Sequence, residues 1–484
     1  MAWTRSGYVA GGFVVVFGCL SARIVGAQEP QQKPPGNPAA DEDFHVYTDA
    51  PRLLLNKARL RLVQRERERQ SPRWQQLDAL ISGGAPMPEP GFAWALYFQV
   101  ARDQTAEKKA VDWALGDRAD AHTDLRQLAI VFDWCAAAMT KAQADKLGEK
   151  IERGLGIGTA GPTGSVPYPP GDPSIEMIRQ NARVLATIAI ADRLPDHGNT
   201  ILSSLVEKWW RGEVIKRVQK GLPAAPREQF YAMYEMMHAI RDNLKIDLRD
   251  DASAYFRTVP IDHLSGHYPP PLESPENEYR VPVYVRDGDP DITDATMSRA
   301  AELAMVAYDP NALESQFLQG WLMQDRFLMR GGLGAVYEFL WANPYQPGLS
   351  YFHVPLIFHD TATGHLFART SWDEDATWLG YFDGHLQLFQ KGQIETLRPG
   401  AAIRPVNIGD AMLVSADGKE SMRFRATTEA VFVLNLAARA VYDVEVDDQE
   451  LWEVGTDTGG TLVLSFPEGI DAGVRIRRRA APGN

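Results

Sequence analysis

The stretch Pro226-Arg227-Glu228-Gln229-Phe230-Tyr231-Ala232-Met233-Tyr234-Glu235-Met236-Met237-His238-Ala239-Ile240-Arg241-Asp242-Asn243-Leu244 reads as one amphipathic helix. At about 100° per residue, Phe230, Met233, Met236, Met237, Ile240 and Leu244 fall on one side as a stripe for a core. Arg227, Tyr231, Tyr234 and His238 fall on the other, in i, i+3, i+4 steps. A cation, two phenols and an imidazole together can remove a weakly acidic proton from a polar substrate. The same four residues also suit a solvated outer face.

Outward from this helix, the helical period holds from Pro51 to about Ala342. It gives helices over Leu55 to Ile81, Phe92 to Leu115, Thr123 to Met139 and Ala142 to Leu155. Thr140 and Gln143 have the form of a capping box. Gly154 to Gly171 is a Gly/Pro loop. Asp172-Pro173 then opens a helix that runs to about Asp192. Further helices are predicted over Ile201 to Lys220, Thr296 to Tyr308 and Ala312 to Met329, with His263 to Pro290 as an irregular insert. Near Pro347 short β-rich runs separated by Gly, Asp and Pro begin, including Gly364 to Thr370, Thr377 to Phe382, Ala411 to Ser415 and Gly473 to Arg478. The expected fold is multidomain, α then β: an α/α toroid of helix pairs over residues 46–346, then a short antiparallel β-sandwich over 347–480.

The 484 residues are 45% hydrophobic, enough for a large core, and carry a formal net charge of -13. That acidity speaks against nucleic-acid or anionic-membrane partners. Arg5, the apolar run Tyr8 to Leu20 and Val25-Gly26-Ala27 predict a signal peptide over 1–27, so the protein is expected outside the cytoplasm, in the periplasm or medium, without stable membrane insertion. Residues 28–45 read as a Pro/Gln-rich linker. After cleavage Cys135 alone remains, in an apolar run, so no internal disulfide is expected.

Several segments resemble the heparinase II/III-like polysaccharide lyases. Pro51-Arg52-Leu53-Leu54 resembles the opening of that family's domain, and Leu128-Ala129-Ile130-Val131-Phe132-Asp133-Trp134 its "LALAYDW" helix. Phe230-Tyr231-Ala232-Met233-Tyr234 resembles the segment with the catalytic tyrosine. Leu366-Phe367-Ala368-Arg369-Thr370-Ser371-Trp372-Asp373-Glu374-Asp375-Ala376-Thr377-Trp378 resembles the "ARSSW…DATW" strands. The resemblance implies a toroid-plus-sandwich fold and β-elimination on a uronic-acid polysaccharide. The chain departs from it at His385-Leu386-Gln387-Leu388-Phe389-Gln390-Lys391-Gly392, where the family carries H-x-H-x-D-x-G. In the register set by Gly392 and Gly400, Leu386 and Leu388 stand where histidines are expected, and leucines ligate no metal. No metal or other cofactor is therefore expected.

Elimination needs a neutraliser for the uronate carboxylate, a base for the C5 proton and an acid for the leaving oxygen. The resemblance points to Tyr231 as base or acid, and a phenol pKa of about 10 asks for help, for which Arg227 is one turn away. Asn181, on the apolar face of its helix beside Met177 and Val184, is the expected neutraliser, and His238 an assisting acid or base. Arg227, Gln180, Arg183, Tyr234 and His385 are expected to touch the substrate, an anionic polysaccharide or oligosaccharide. Two other readings stay open. A toroid glycosidase would use a carboxyl pair drawn from Asp133, Asp172, Glu228 and Glu235. A non-catalytic glycan binder would stack sugars on Trp94, Trp113, Trp209 or Trp210.

Overall fold

The computed structural model describes residues 42–157, 175–194, 197–273, 278–285, 292–324, 329–397, 405–409, 411–416, 421–447 and 450–479. The expected leader, most of the linker, most of the loop before residue 175 and the Asp172-Pro173 cap lie outside these residues.

Helices come first and strands second, as the two periods predict. Where the periodicity suggested single long helices, local chemistry divides them. Gln70, at φ 51°, ends Lys57–Glu68, and Ser71 then caps Pro72–Ser82 by accepting from the Trp74 N–H. Arg102, at φ 58°, ends Pro90–Ala101, and Asp103 caps Gln104–Leu115. The capping box at Thr140 and Gln143 opens Lys141–Gly154. Pro226 precedes a single 3-10 turn, Arg227–Gln229, and the α-helix Phe230–Leu244 follows, closed by Lys245 at φ 62°.

That helix packs against Glu176–Ala189 on one flank and Ile292–Tyr308 on another. Both of its faces are therefore buried. Tyr231, Tyr234 and His238 are each 2% exposed, as enclosed as the methionine stripe, so the polar face is an interior one and not the solvated side its sequence also suited. The insert expected to be irregular is partly ordered. Ser253–Ser265 is helical through Pro260, and His267–Glu273 pairs antiparallel with Glu278–Pro282.

Among the described residues the β region has three sheets. Ile357–Asp360, His365–Arg369, Trp378–Phe382, His385–Gln390 and Gln393–Leu397 form an antiparallel meander. Leu462–Ser465, Ala430–Leu434, Ala411–Ser415 and Val406–Ile408 form the second sheet, in which Ala430–Leu434 and Ala411–Ser415 run parallel. Ser421–Ala426, Ala472–Arg478, Val441–Val446 and Glu450–Gly455 form the third. Alternation along Ala411–Ser415 sends Leu413 against Leu379 and Leu386 of the first sheet, and Met412 and Val414 against Val444 and Ile476 of the third. A middle sheet covered on both faces accounts for continuous apolar runs such as Ala-Met-Leu-Val.

The other face of the first sheet carries Phe367, Trp378, Phe382 and Phe389, which pack on Tyr268 and Val281 of the insert. Leu386 and Leu388 point the opposite way, into the inter-sheet core. Helical and β regions are further joined by Trp378 Nε1, donating to the Ser265 carbonyl at 3.0 Å, and by His365 against Asp262. Among the described residues no helix is long and apolar enough to cross a membrane.

Candidate functional site

The helix Phe230–Leu244 places Glu235 one turn after Tyr231, and the helix Glu176–Ala189 turns Asn181 toward both. The three side chains meet with Arg126, from Leu125–Trp134, at one buried point. Glu235 Oε1 accepts from the Tyr231 hydroxyl at 2.6 Å and from Arg126 Nη2 at 2.7 Å. Glu235 Oε2 accepts from Asn181 Nδ2 at 2.7 Å and from Arg126 Nε at 2.6 Å. The Nη1 of Arg126 reaches both oxygens of Glu89 at 3.0 Å, and Tyr337 donates to Glu89 at 2.6 Å. Trp341 Nε1 donates to the Tyr231 oxygen at 3.2 Å. Side-chain exposure rises from 0% at Glu235 through 12% at Arg126 to 25% at Glu89, so the centre opens on the Glu89 side.

The electrostatics follow from the enclosure. Burial and then the Glu235 charge raise the Tyr231 phenol well above 10, although Arg126 pulls the other way. Burial opposes the Arg126 charge, but Glu235 and Glu89 outweigh it and the guanidinium stays protonated. Arg227, the expected helper, turns elsewhere: it donates to the His263 carbonyl at 2.8 Å and to Ser298 at 3.2 Å. The cation beside the phenol is Arg126, at 3.5 Å.

The other expected site residues separate. His238 donates through Nε2 to the Ala304 carbonyl at 3.0 Å and lies 4.5 Å from the Trp341 ring; burial and the nearby Arg59 hold its pKa well below 6.5, so it is a neutral strut. Tyr234 packs edge-on to Tyr308, its phenol raised by burial. Gln180 donates to Glu176 and accepts from Arg183 at 2.9 Å, a polar chain along its own helix. His385 stands exposed at the head of its strand, 6.3 Å from the Phe382 ring.

Of the alternative residues, Asp133 accepts from the backbone N–H groups of Arg52 and Leu53 at 2.8–3.1 Å, and Trp134 Nε1 donates to the Leu53 carbonyl at 2.8 Å. The two family-like segments at Pro51 and Leu128 therefore lock each other. Glu228 is exposed, Asp172 lies outside the described residues, and Trp210 is a core residue stacked on Phe256.

Two further polar groups lie at the helix–sheet junction. Glu302 is fully buried, and its Oε1 takes Ser298 at 3.1 Å, His267 Nε2 at 3.2 Å and Arg227 Nη2 at 3.5 Å. Burial alone would raise its carboxyl, but His267, His263 and Arg227 outweigh that and hold it far below the usual range. Beside this group a narrow cleft is lined by His267, Arg280, Trp321, Tyr351, Arg369 and Trp372. A second cavity is lined in part by His365, which lies between Asp262 at 3.0 Å and Asp383 at 3.3 Å. Burial opposes the His365 charge, but the two carboxylates raise its pKa to about 10.

Glu235 was legible as a partner of Tyr231 from its i, i+4 spacing. Arg126, Glu89 and Tyr337 come from distant helices, and nothing local in the sequence joins them.

No family model matches the chain, and no curated protein does. A solved structure described as a glycoside hydrolase aligns with 81% of this chain and 71% of its own length, at 9% identity and a TM-score of 0.31. A likeness at that level assigns neither family nor activity.

Proposed function

We propose that the chain is an exported protein of the polysaccharide-lyase type, acting on a uronic-acid-bearing glycan by β-elimination. The reading takes residues 1–27 as leader, 28–45 as linker, and 46–346 and 347–480 as the two domains of the mature protein. One observation carries it: Asn181, Tyr231 and Arg126 converge on a single carboxylate at 2.6–2.7 Å. Neutralising a carboxylate with a phenol alongside is what elimination next to a uronate requires. Here the carboxylate is the protein's own Glu235.

In this reading the substrate carboxylate takes the place of Glu235 between Asn181 and Arg126. Moving Glu235 away removes a charge that holds the phenol proton and leaves the Arg126 charge that loosens it. Tyr231 gives its own proton to the departing Glu235 carboxylate, the resulting phenolate takes the C5 proton, the C4–O bond breaks with C4=C5 forming, and the departing oxygen takes that proton back from the phenol, which leaves the phenolate for the next turnover.

A second reading has its own support. Tyr231 is 2% and Glu235 0% exposed, so in this arrangement the centre is closed, which suits a protein that binds a glycan elsewhere without cleaving it.

The mature protein, incubated with alginate, glucuronan, hyaluronan, chondroitin and heparan with and without chelator, separates the cases. Absorbance near 232 nm marks the unsaturated uronide and supports elimination. New reducing ends without that absorbance would reject it in favour of hydrolysis. Binding with neither product favours the second reading.

A further inference from the structure

A buried phenolate needs hydrogen-bond donors that the substrate does not claim. The Tyr231 oxygen accepts from Trp341 Nε1 at 3.2 Å and from Arg126 Nη2 at 3.5 Å. Arg126 is already committed. It serves Glu235 and Glu89, and in the reading above it turns to the substrate carboxylate, which cancels much of its charge. The Trp341 N–H donates to the Tyr231 oxygen and, among the described residues, to nothing else. A hydrogen bond to an ionised acceptor is roughly twice as strong as one to a neutral acceptor, so this contact strengthens as the phenol loses its proton.

Local structure fixes that donor in place. Trp341 is the last residue of the helix Gly334–Trp341 and is 1% exposed. The carbonyls at the end of a helix have no partner within it. Here Arg59, from Lys57–Glu68, donates through Nη1 to the Leu340 carbonyl at 3.1 Å and to the Trp341 carbonyl at 3.5 Å. The same guanidinium lies 4.3 Å from the centre of the Trp341 ring, and the His238 ring lies 4.5 Å from it. A cation against an indole draws on the ring electrons and makes the N–H a better donor. The donor stands ready before the charge appears, so little has to reorganise when it does.

We propose that Trp341 is a positioning residue for the elimination: its indole N–H holds the Tyr231 oxygen while the phenol proton is away, and Arg59 holds the indole. The role rests on the elimination reading above. The groups that face the phenol are Glu235 on its own helix, Arg126, Arg59, and Tyr337 with Glu89; the neighbouring His238 is neutral. Of these only Glu235 and Glu89 oppose a negative oxygen, and Glu89 is engaged by Arg126 and Tyr337. With Glu235 withdrawn, Trp341 and the two guanidinium groups favour the phenolate.

The test uses the mature protein and the polyuronate it cleaves fastest. The kcat and KM are followed against pH for wild type, Trp341→Phe and Arg59→Gln, each checked for folding by circular dichroism. In parallel, NMR of tyrosines labelled at Cζ follows the Tyr231 titration in Glu235→Gln, which stands in for the withdrawn carboxylate, with and without Trp341→Phe; Tyr231→Phe assigns the resonance. Losing a hydrogen bond to a charged group should raise the pH at which Tyr231 ionises by about one to two. The kcat of Trp341→Phe should fall about ten- to hundredfold at neutral pH, recover as pH rises, and leave KM within about twofold. Arg59→Gln should lose about two- to fivefold in the same direction, and is the deciding variant if Trp341→Phe does not fold. A folded Trp341→Phe protein with the wild-type pH profile, or with a kcat that falls equally at every pH, overturns the role and leaves the elimination standing. An unmoved Tyr231 titration does the same. Wild type that gives no unsaturated product from any polymer at any pH rejects the elimination and this role together.

Discussion

Glu235→Gln perturbs the buried centre at the carboxylate where four donors meet, two on each oxygen. The carboxylate accepts from Tyr231, Asn181 and twice from Arg126. A glutamine keeps the shape but turns one acceptor into an NH₂ that faces a guanidinium N–H in either orientation. Breaking a buried pair costs about 3–5 kcal/mol when the surviving charge is left alone. Arg126 keeps Glu89 at 3.0 Å, so we expect the low end, about 3 kcal/mol, read as a lower urea midpoint at unchanged slope. Tyr231→Phe removes only the hydroxyl. Hydrogen bonds to charged groups contribute about 1.5–3 kcal/mol, and the double-mutant cycle between the two should return a coupling in that range. A Glu235→Gln protein within about 0.5 kcal/mol of wild type, or a coupling near zero, would refute the four-donor centre.

Three further outcomes follow from the same structure. The His365 bridge has a folded pKa of about 10 against an ordinary 6.5, so its stability is present in full below pH 6.5 and is lost as pH rises toward 10. It amounts to at most about 5 kcal/mol, and His365→Gln should flatten the fall in urea midpoint between pH 7 and 9.5; an unchanged slope counts against the bridge. Asp133→Asn leaves one of the Arg52 and Leu53 N–H groups poorly matched and should cost about 2 kcal/mol, whereas a neutral result would show that the two segments do not lock through it. A Cβ on Gly320 would lie 1.7 Å from the Leu349 carbonyl oxygen, so Gly320→Ala should destabilise by about 3 kcal/mol; a stable variant would mean that the two chains do not approach so closely.

The order of helices and strands was legible because periods of 3.6 and 2 survive in single segments. Strand Ala411–Ser415 falls where its apolar run placed it. Helix ends were less legible: the breaks at Gln70 and Arg102 use left-handed residues that are not glycine. The helix at Ser253–Ser265 was hidden by Pro260 and by an apolar content that gives no clear stripe.

In the site, the convergence of Asn181 and Tyr231 was only a question the sequence posed. That both point at Glu235 depends on how three helices cross. The polar face of the Tyr231 helix looked like a surface because polarity ordinarily marks one. Here it is interior, since each polar atom of the Tyr231–Glu235 pair finds a charged partner on another helix. The cleft at Arg369 was invisible for the same reason: its members come from a helix, a hairpin, a 3-10 turn and one strand with the loop that follows it.

The most direct measurement of the central claim is the initial rate of 232 nm absorbance on the best polyuronate, for wild type, Tyr231→Phe and Asn181→Ala, each checked for folding by circular dichroism. If elimination runs at this centre, Tyr231→Phe should lose about 10²–10⁴ in rate, as for removal of a proton-transfer group, and Asn181→Ala a loss of similar order. A folded Tyr231→Phe protein that keeps the wild-type rate would contradict the account.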